Sequence, residues 1–235
     1  PVPVTPSPIV VVEVKPEVPT EIPLVKEVAV PQIPTRATKI LANSDFSSEL
    51  NHWDKIETPG GTKILQVTYD TMDYPEVLEF KRIGRVKEKG EFGISQSLNL
   101  DISKAPLLMV GADVKAIYSS LDSDEDRVYP IMIELEYQDA EGNVNTWKHG
   151  FLYDEPFKQT ILNYTEIGEK IPKNKWYSYS SPNLIELLVP KPKLLTKLKI
   201  YGAGMGFKGM VDNVKLVTEG TIPPAEKPSE VVAMV

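Results

Sequence analysis

One stretch decides the fold class: Ile94-Ser95-Gln96-Ser97-Leu98-Asn99-Leu100-Asp101-Ile102. Its even-numbered residues are mainly apolar and its odd-numbered residues are polar, which is typical of a β-strand with one buried side. The same alternation recurs at residues 108–116 and 131–138, and turn-forming residues follow at 139–143. No segment has a sustained helical period. The pattern therefore predicts an all-β fold, and in particular one antiparallel β-sandwich.

Composition divides the chain into three segments. Residues 1–37 hold nine of the 21 prolines, residues 38–218 form the predicted sandwich, and residues 219–235 form a C-terminal tail. Because proline fixes φ and removes a backbone donor, we expect the first segment to be an extended, Pro/Val-rich N-terminal arm. Two interpretations of this arm stay open. It is either a semi-rigid stalk or linker, or a segment that adds a strand to a partner.

The composition favours a binding or structural protein over an enzyme. The absence of cysteine excludes disulfides, thiolate metal sites and cysteine nucleophiles, and two histidines leave little for a Ser-His-Asp triad. A net charge of −7 argues against nucleic acid as a partner, since binding to the phosphate backbone requires clustered Lys and Arg. Every apolar run is far shorter than the roughly 20 residues of a membrane-spanning helix, so no transmembrane segment is predicted.

Three motifs resemble those of carbohydrate-binding modules with a galactose-binding-like jelly roll. The segment from Leu41 to Trp53, which contains Asn43-Ser44-Asp45-Phe46, is similar to the "NGDFs-gl-gW" opening of these modules. Ile94-Ser95-Gln96-Ser97-Leu98 resembles their "isQ-v" strand, and the segment from Met210 to Val217 resembles their closing "-vDnv-lv" strand. The motifs occur in the order that the family has, and they frame the predicted sandwich. The resemblance implies a jelly-roll fold.

A second resemblance concerns residues 137–143, 147–151, 168–176 and 183–188. They look like a β-sandwich module that follows iron-dicitrate-sensor-like (FecR-like) domains in bacterial envelope proteins. This resemblance implies an exported protein at the cell surface, in the periplasm or in the extracellular space, with no known catalysis. The implied partner is a glycan or another envelope protein. The sensor domain itself is not in the sequence, so no signalling role carries over.

Two segments, residues 147–153 and 176–179, hold the candidates for glycan binding. They are rich in aromatic residues, and sugar-binding sandwiches present aromatic faces to pyranose rings. One alternative is that the aromatic residues between 147 and 153 are core residues opposite 131–135. In the second segment, residues 177 and 179 alternate with 176 and 178, so one set faces inward and the other outward. The candidate ligand-binding residues are Trp147, His149, Tyr153, Trp176, Tyr177 and Tyr179.

The resemblance to carbohydrate-binding modules also implies a structural calcium ion between the opening and closing strands. The matching residues are Asp45 and Asp212, with backbone carbonyls completing an oxygen shell. The family often has a further acidic residue after Phe46, where this chain has serines at 47 and 48. The alternative is that both aspartates cap turns or strand ends. The acidic cluster at 122–126 lacks the glycine and the glutamate of a calcium loop, and we interpret it as a solvated loop.

Two functions remain compatible with these patterns. The first is a non-catalytic, exported β-sandwich that binds carbohydrate. The second is a structural subunit of a cell-surface or extracellular assembly, in which the N-terminal arm docks on neighbouring copies by strand addition. The position of the apolar side chains separates them. A glycan-binding module needs exposed aromatic residues on one face of the sandwich, whereas an assembly subunit needs the arm.

Overall fold

The structure is a computed structural model, and it describes residues 40–83, 89–120, 129–153 and 167–219. The predicted N-terminal arm (1–37), the acidic cluster at 122–126 and all of the predicted tail except Glu219 lie outside the described residues. Two β-sheets make up most of the described part. The elements are β1 (Asp54–Glu57), β2 (Thr62–Thr68), β3 (Val77–Ile83), β4 (Gly90–Asp101), β5 (Leu108–Ser119), β6 (Tyr129–Gln138), β7 (Val144–Leu152), β8 (Gly168–Lys170), β9 (Tyr177–Ser180), the short helix α1 (Leu184–Leu187), β10 (Leu194–Gly204) and β11 (Phe207–Thr218).

The strands form a six-stranded sheet in the order β1-β4-β10-β6-β7-β8 and a five-stranded sheet in the order β2-β3-β11-β5-β9. Every pairing between these strands is antiparallel except that of β7 with β8, which is parallel. The predicted antiparallel β-sandwich is therefore confirmed. The hairpin predicted around residues 139–143 joins β6 to β7, and Leu135 pairs with Trp147.

The core lies between the sheets and consists of the side chains that alternate inward along each strand. Ile94, Ile133 and Ile200 line the six-stranded sheet, while Val114 and Val211 belong to the five-stranded sheet; all are fully buried in one cluster. Burial of this apolar surface is the main favourable term in folding. The alternation that predicted the strands thus arises because one face of each strand meets the other sheet.

The opening loop, residues 41–53, is held to both sheets by hydrogen bonds. The Gln96 side chain of β4 donates from Nε2 to the carbonyls of Ala42 (2.9 Å) and His52 (3.2 Å), and its Oε1 accepts from the Ala42 N–H (3.0 Å). The Val214 N–H of β11 donates to the Ser44 carbonyl at 2.9 Å. The three motifs that resemble carbohydrate-binding modules therefore meet in space, because the second and third motifs both bind the first.

We predict that replacing Gln96 with leucine destabilises the sandwich. Leucine has a similar size but leaves the partly buried backbone groups of Ala42 and His52 without their partner, at a cost of about 1–2 kcal/mol. Urea denaturation measures the difference in the free energy of unfolding. Ser97→Ala, at the exposed next position of the same strand, is the matched control and should change stability by less than about 0.5 kcal/mol. Equal urea midpoints for wild type and Gln96→Leu would contradict this role of Gln96.

Candidate functional site

The candidate site is the outer face of the five-stranded sheet, the side that points away from the core. Asp113 of β5 pairs with Asp212 of β11 and Ser178 of β9, so these three side chains form one polar row across the face. Lys115 lies two residues further along β5 and pairs with Met210. Because side chains alternate along a strand, all of these residues are on the side opposite to core residues such as Val114.

The β2–β3 loop, residues 69–76, folds over this outer face. Its Tyr74 ring stacks on the Trp176 ring, with 4.0 Å between the ring centroids and 14° between the ring planes. Val77 and Met210 are 0% and 7% exposed although neither belongs to the core cluster between the sheets. A buried outer-face residue needs a cover on that side. The loop therefore packs against the sheet.

Asp70 organises the polar contacts around Trp176. It accepts the indole Nε1–H of Trp176 on Oδ2 at 2.8 Å, and Lys115 Nζ donates to both carboxylate oxygens at 2.8 and 2.9 Å. Lys115 Nζ also lies 5.8 Å from the centroid of the Trp176 ring. Burial acts to raise the pKa of Asp70, but the hydrogen bonds from Lys115 and Trp176 outweigh it and hold that pKa below its ordinary value. Asp70 is thus a fixed anion at neutral pH.

Asp113 is held in one orientation by two neighbours. Ser178 Oγ donates to its Oδ1 at 2.6 Å, and Asn213 Nδ2 donates to its Oδ2 at 2.8 Å. Burial and the negative charges of Asp113, Asp212 and Asp73 raise the pKa of Tyr74, whose hydroxyl therefore stays protonated. The outer face consequently combines aromatic rings, oriented carboxylates, an amide and an ammonium group within a small area. This set can stack on an apolar ring face and exchange hydrogen bonds with hydroxyl groups.

Of the six aromatic and histidine residues predicted to bind a ligand, the structure brings only Trp176 to the outer face. Trp147 and Tyr153 are 9% and 5% exposed and belong to the core cluster between the sheets. Tyr177 and Tyr179 pair with the inward-facing residues of β5 and pack against the same cluster. The prediction that these four residues and His149 bind a glycan stays untested, and their positions make them packing residues first.

The sequence analysis missed Tyr74 and Asp70, which provide the closest contacts of Trp176. Both lie about 100 residues before Trp176 in the chain, since the Asp70–Trp176 hydrogen bond spans 106 residues. They occupy a loop with no periodic pattern, so neither alternation nor spacing marked them. A tyrosine followed by a proline, Tyr74-Pro75, is the one local signal of a fixed turn.

His149 belongs to an aromatic and carboxylate cluster at the edge between the sheets. Its ring stacks on Tyr179 with 4.3 Å between centroids, and its Nε2 lies 3.4 Å from Oε1 of Glu169 on β8. Tyr177 Oη donates to Oε2 of the same carboxylate at 3.4 Å. Burial lowers the pKa of His149, and the charge of Glu169 only partly opposes this effect. The imidazole is therefore neutral in the folded protein at pH 7.

We expect His149 to make folding less stable in acid. The folded protein resists protonation of His149, whereas the unfolded chain takes up the proton near the ordinary pKa of 6.5. The free energy of unfolding should therefore fall as the pH drops below about 6.5. In His149→Phe, which keeps a stacking ring, the decrease between pH 7 and pH 5 should be smaller, as measured by urea denaturation. The control His52→Gln, at an exposed position, should retain the wild-type decrease; an equal decrease in His149→Phe would contradict the prediction.

The two predicted calcium ligands, Asp45 and Asp212, lie close enough for the charge of one to act on the other. Burial raises the pKa of Asp212 to about 6, and the charges of Asp113 and Asp45 add to this effect. Within the described residues, no group of three or more His, Asp or Glu side chains is arranged to hold a metal ion. Several carbonyl oxygens of the opening loop accept hydrogen bonds. These are the carbonyls of Ala42 and His52 with Gln96, Asn43 with Trp53 Nε1, Glu49 and Asn51 with Asn43 Nδ2, and Ser44 with Val214.

A carbonyl oxygen that accepts one hydrogen bond keeps a second lone pair, so these contacts do not test for an ion, and calcium binding by Asp45 and Asp212 stays a prediction. The Asp212 carboxylate itself accepts hydrogen bonds from Asn213, through the backbone N–H at 2.6 Å and Nδ2 at 3.3 Å. Asp45 accepts from Ser47 Oγ at 2.9 Å, which is the capping contact of a turn. The alternative given above, aspartates that cap turns or strand ends, describes these hydrogen bonds.

Comparison with known proteins gives no family by sequence: no family model matches the chain, and no curated protein matches it. Solved structures do match. The module TmCBM61, in complex with β-1,4-galactotriose, is 16% identical, and the match covers 77% of this chain and 99% of that chain with a TM-score of 0.40. The family 11 carbohydrate-binding module of the cellulosomal cellulase Lic26A-Cel5E of Clostridium thermocellum is 15% identical, over 78% and 95% of the two chains, with a TM-score of 0.43.

A protein of another kind is equally similar. The Stig cyclase Fisc from Fischerella sp. TAU is 14% identical, with 81% of this chain and 100% of that chain covered and a TM-score of 0.45. At these identities and TM-scores the likeness concerns the β-sandwich fold alone, and one fold supports many functions. In the described ranges, no helix is long and apolar enough to cross a membrane.

Proposed function

We propose that this protein is a non-catalytic glycan-binding module and that it binds its ligand on the outer face of the five-stranded sheet, around Trp176. The observation that carries the proposal is the Trp176 ring, next to Tyr74, together with the fixed carboxylate of Asp113 on the same sheet face. A sugar ring has an apolar C–H face and a rim of hydroxyl groups. An aromatic ring next to oriented hydrogen-bonding groups matches both features.

The charged groups on this face suit hydroxyl recognition because their own geometry is already fixed. Asp113 is held by Ser178 and Asn213. A carboxylate fixed in this way accepts a hydrogen bond from a sugar hydroxyl without a further loss of side-chain entropy. The proposed ligands are glycans of the cell envelope or extracellular polysaccharides. The resemblance of residues 137–143, 147–151 and 168–176 to the envelope module described above supports an exported location.

We predict that Trp176→Ala abolishes or strongly weakens glycan binding. Removing a central tryptophan from a binding surface typically costs about 2 kcal/mol or more, so the dissociation constant should rise about 30-fold or more. Isothermal titration against cellohexaose, xylohexaose and β-1,4-galactotriose measures the change, and affinity electrophoresis extends the panel to polysaccharides. β-1,4-Galactotriose is the ligand named for TmCBM61. Xylan is the ligand named for another similar structure, the CBM22-1 xylan-binding domain from Paenibacillus barcinonensis Xyn10C.

The matched control is Trp147→Phe, which changes a tryptophan buried between the sheets and should leave binding unchanged. If Trp147→Phe weakened binding as much as Trp176→Ala, the ligand would bind at the edge between the sheets. The absence of binding across the panel, or wild-type affinity in Trp176→Ala, would reject the proposed site.

A second candidate function, a subunit of an extracellular assembly, is favoured by the edge of the same sheet. Strand β2 pairs only with β3 among the described residues, and edge strands readily accept another strand. Next to it lies a groove of about 510 Å³, whose apolar lining includes Leu50, Leu65 and Val67. The N-terminal arm contains two proline-free stretches, residues 9–15 and 24–30, each of seven residues. Strand β2 has the same length.

If this second function holds, the full chain should form oligomers that depend on these stretches. Proline at the centre of a strand removes a hydrogen-bond donor, so the double variant Val11→Pro/Val28→Pro should be monomeric. The control Thr5→Pro/Thr20→Pro places prolines outside both stretches and should assemble like the wild type. Size-exclusion chromatography with light scattering gives the masses. Wild-type chain that stays monomeric at about 100 μM would reject assembly through the arm, since specific interfaces usually bind more tightly than this.

A further inference from the structure

We infer that Tyr74 is a displaceable cover of the binding surface: its ring occupies the face of Trp176 that a sugar ring uses, and the β2–β3 loop moves away when the glycan binds. The inference rests on the proposed function, because it concerns the same Trp176 surface. It adds that the free protein is closed at this surface and that binding requires an exchange of one six-membered ring for another.

The first argument is the geometry of the ring pair. A centroid distance of 4.0 Å and an interplanar angle of 14° leave no space between Tyr74 and Trp176. Lys115 Nζ lies over the Trp176 ring, and Asp70 accepts the indole N–H. The stacking surface of Trp176 next to Tyr74 is therefore fully used in the free protein. A pyranose ring, which is about as large as the phenol ring, can take this position only after Tyr74 has left it.

The second argument is that Tyr74 lies where a bound sugar would lie. Its ring lies flat on an indole, and its hydroxyl is close enough to the Asp113 carboxylate for that negative charge to raise the tyrosine pKa. Asp113 is held from the other side by Ser178 and Asn213, so its position does not depend on Tyr74. Departure of Tyr74 would therefore uncover an aromatic face and, next to it, a pre-oriented carboxylate that can accept a sugar hydroxyl.

The third argument concerns the cost of moving the loop. Its backbone hydrogen bonds are internal: Asp70 N–H and Thr71 N–H donate to the Tyr74 carbonyl, and Tyr74 N–H donates to the Thr71 carbonyl. At its tip, Met72 is 92% exposed. The loop can therefore swing as a unit without breaking a turn of its own. The contacts that it gives up are the stack, the side-chain bonds of Asp70 and the packing over the buried outer-face residues of β3 and β11. None of these is a strand pairing, so the loop can open locally while the sandwich stays folded.

A closed cover lowers the apparent affinity, because only the open fraction of the protein can bind. Removing the cover should therefore tighten binding. We expect Tyr74→Ala to lower the dissociation constant about 3- to 10-fold for whichever of cellohexaose, xylohexaose or β-1,4-galactotriose binds the wild type, which is the range of one aromatic stack. Tyr74→Phe keeps the stack and loses the hydroxyl, so it should bind only slightly tighter than the wild type.

The opposite result is equally clear. If Tyr74 is a permanent part of the binding platform, Tyr74→Ala will weaken binding as Trp176→Ala does, and the cover is rejected while the proposed site stands. Thermal melts of each variant show whether it is folded. Because Met72 is exposed and takes no part in the stack, Met72→Ala is the loop control and should bind like the wild type.

A second measurement needs no ligand and so decides the cover even if no sugar in the panel binds. The full chain is labelled with 5-fluorotryptophan, and the Trp176 signal in the ¹⁹F spectrum is assigned with Trp176→Phe. Opening on the microsecond to millisecond scale should broaden the wild-type Trp176 signal and give relaxation dispersion, which Tyr74→Ala should abolish. A Trp176 signal without dispersion in the wild type, identical in Tyr74→Ala, would overturn the inference.

Discussion

The hydrogen bonds of the Gln96 side chain to the opening loop are the contacts on which the rest of the architecture depends. They fix the loop to β4 in the six-stranded sheet, while the Ser44 carbonyl fixes the same loop to β11 in the five-stranded sheet. The loop therefore joins the two sheets at one point. From there β11 carries Asn213, whose amide orients Asp113 on the outer face. The contacts that hold the opening loop are in this way connected, through β11, to the orientation of Asp113 in the candidate site.

The strands that the sequence predicts are those with one buried side. In β4, β5 and β6 the inner face meets the opposite sheet, so the side chains alternate in character with a period of two. Strands β1 and β2 are sheet edges with mostly exposed or partly buried residues, and β8 has only three residues. Strands β1 and β8 are too short for apolar and polar residues to alternate visibly. In β2 the apolar Ile64 stands on the exposed side, so its sequence does not alternate either. The pairing of these strands comes from tertiary structure, and the sequence pattern does not contain it.

The site could be predicted only in part for a similar reason. The alternation of residues 176–179 indicates that two of them face inward, but the inward set is decided by the register of β9, in which Tyr177 pairs with Val114 and Tyr179 pairs with Ala112. That register leaves Trp176 on the outer side. Tyr74 contacts Trp176 from the β2–β3 loop, which belongs to the opposite edge of the same sheet. A contact between residues so distant in the chain depends on the strand order, which a single sequence does not give.

The opening loop illustrates how side chains hold an irregular segment in one conformation. Asn43 has a φ of 47°, and its amide donates to the carbonyls of Glu49 and Asn51 at 2.9 and 3.0 Å. The indole of Trp53 donates to the Asn43 carbonyl. Backbone carbonyl oxygens in a loop have no strand partner, so other donors must pair with them. In this chain the asparagine, glutamine and tryptophan side chains supply the donors.

The two candidate functions use different surfaces that share one structural element. The groove beside β2 is lined by Tyr69, Pro75 and Glu76, which are the two ends of the loop that carries Tyr74. A strand seated in this groove would contact both ends of that loop, so it would bind the closed and open positions of the loop with different free energies. Thermodynamic linkage then requires the converse: a glycan that favours the open loop changes the affinity of the groove by the same factor. Assembly and glycan binding would therefore be coupled functions of one protein, and the coupling would act through the β2–β3 loop.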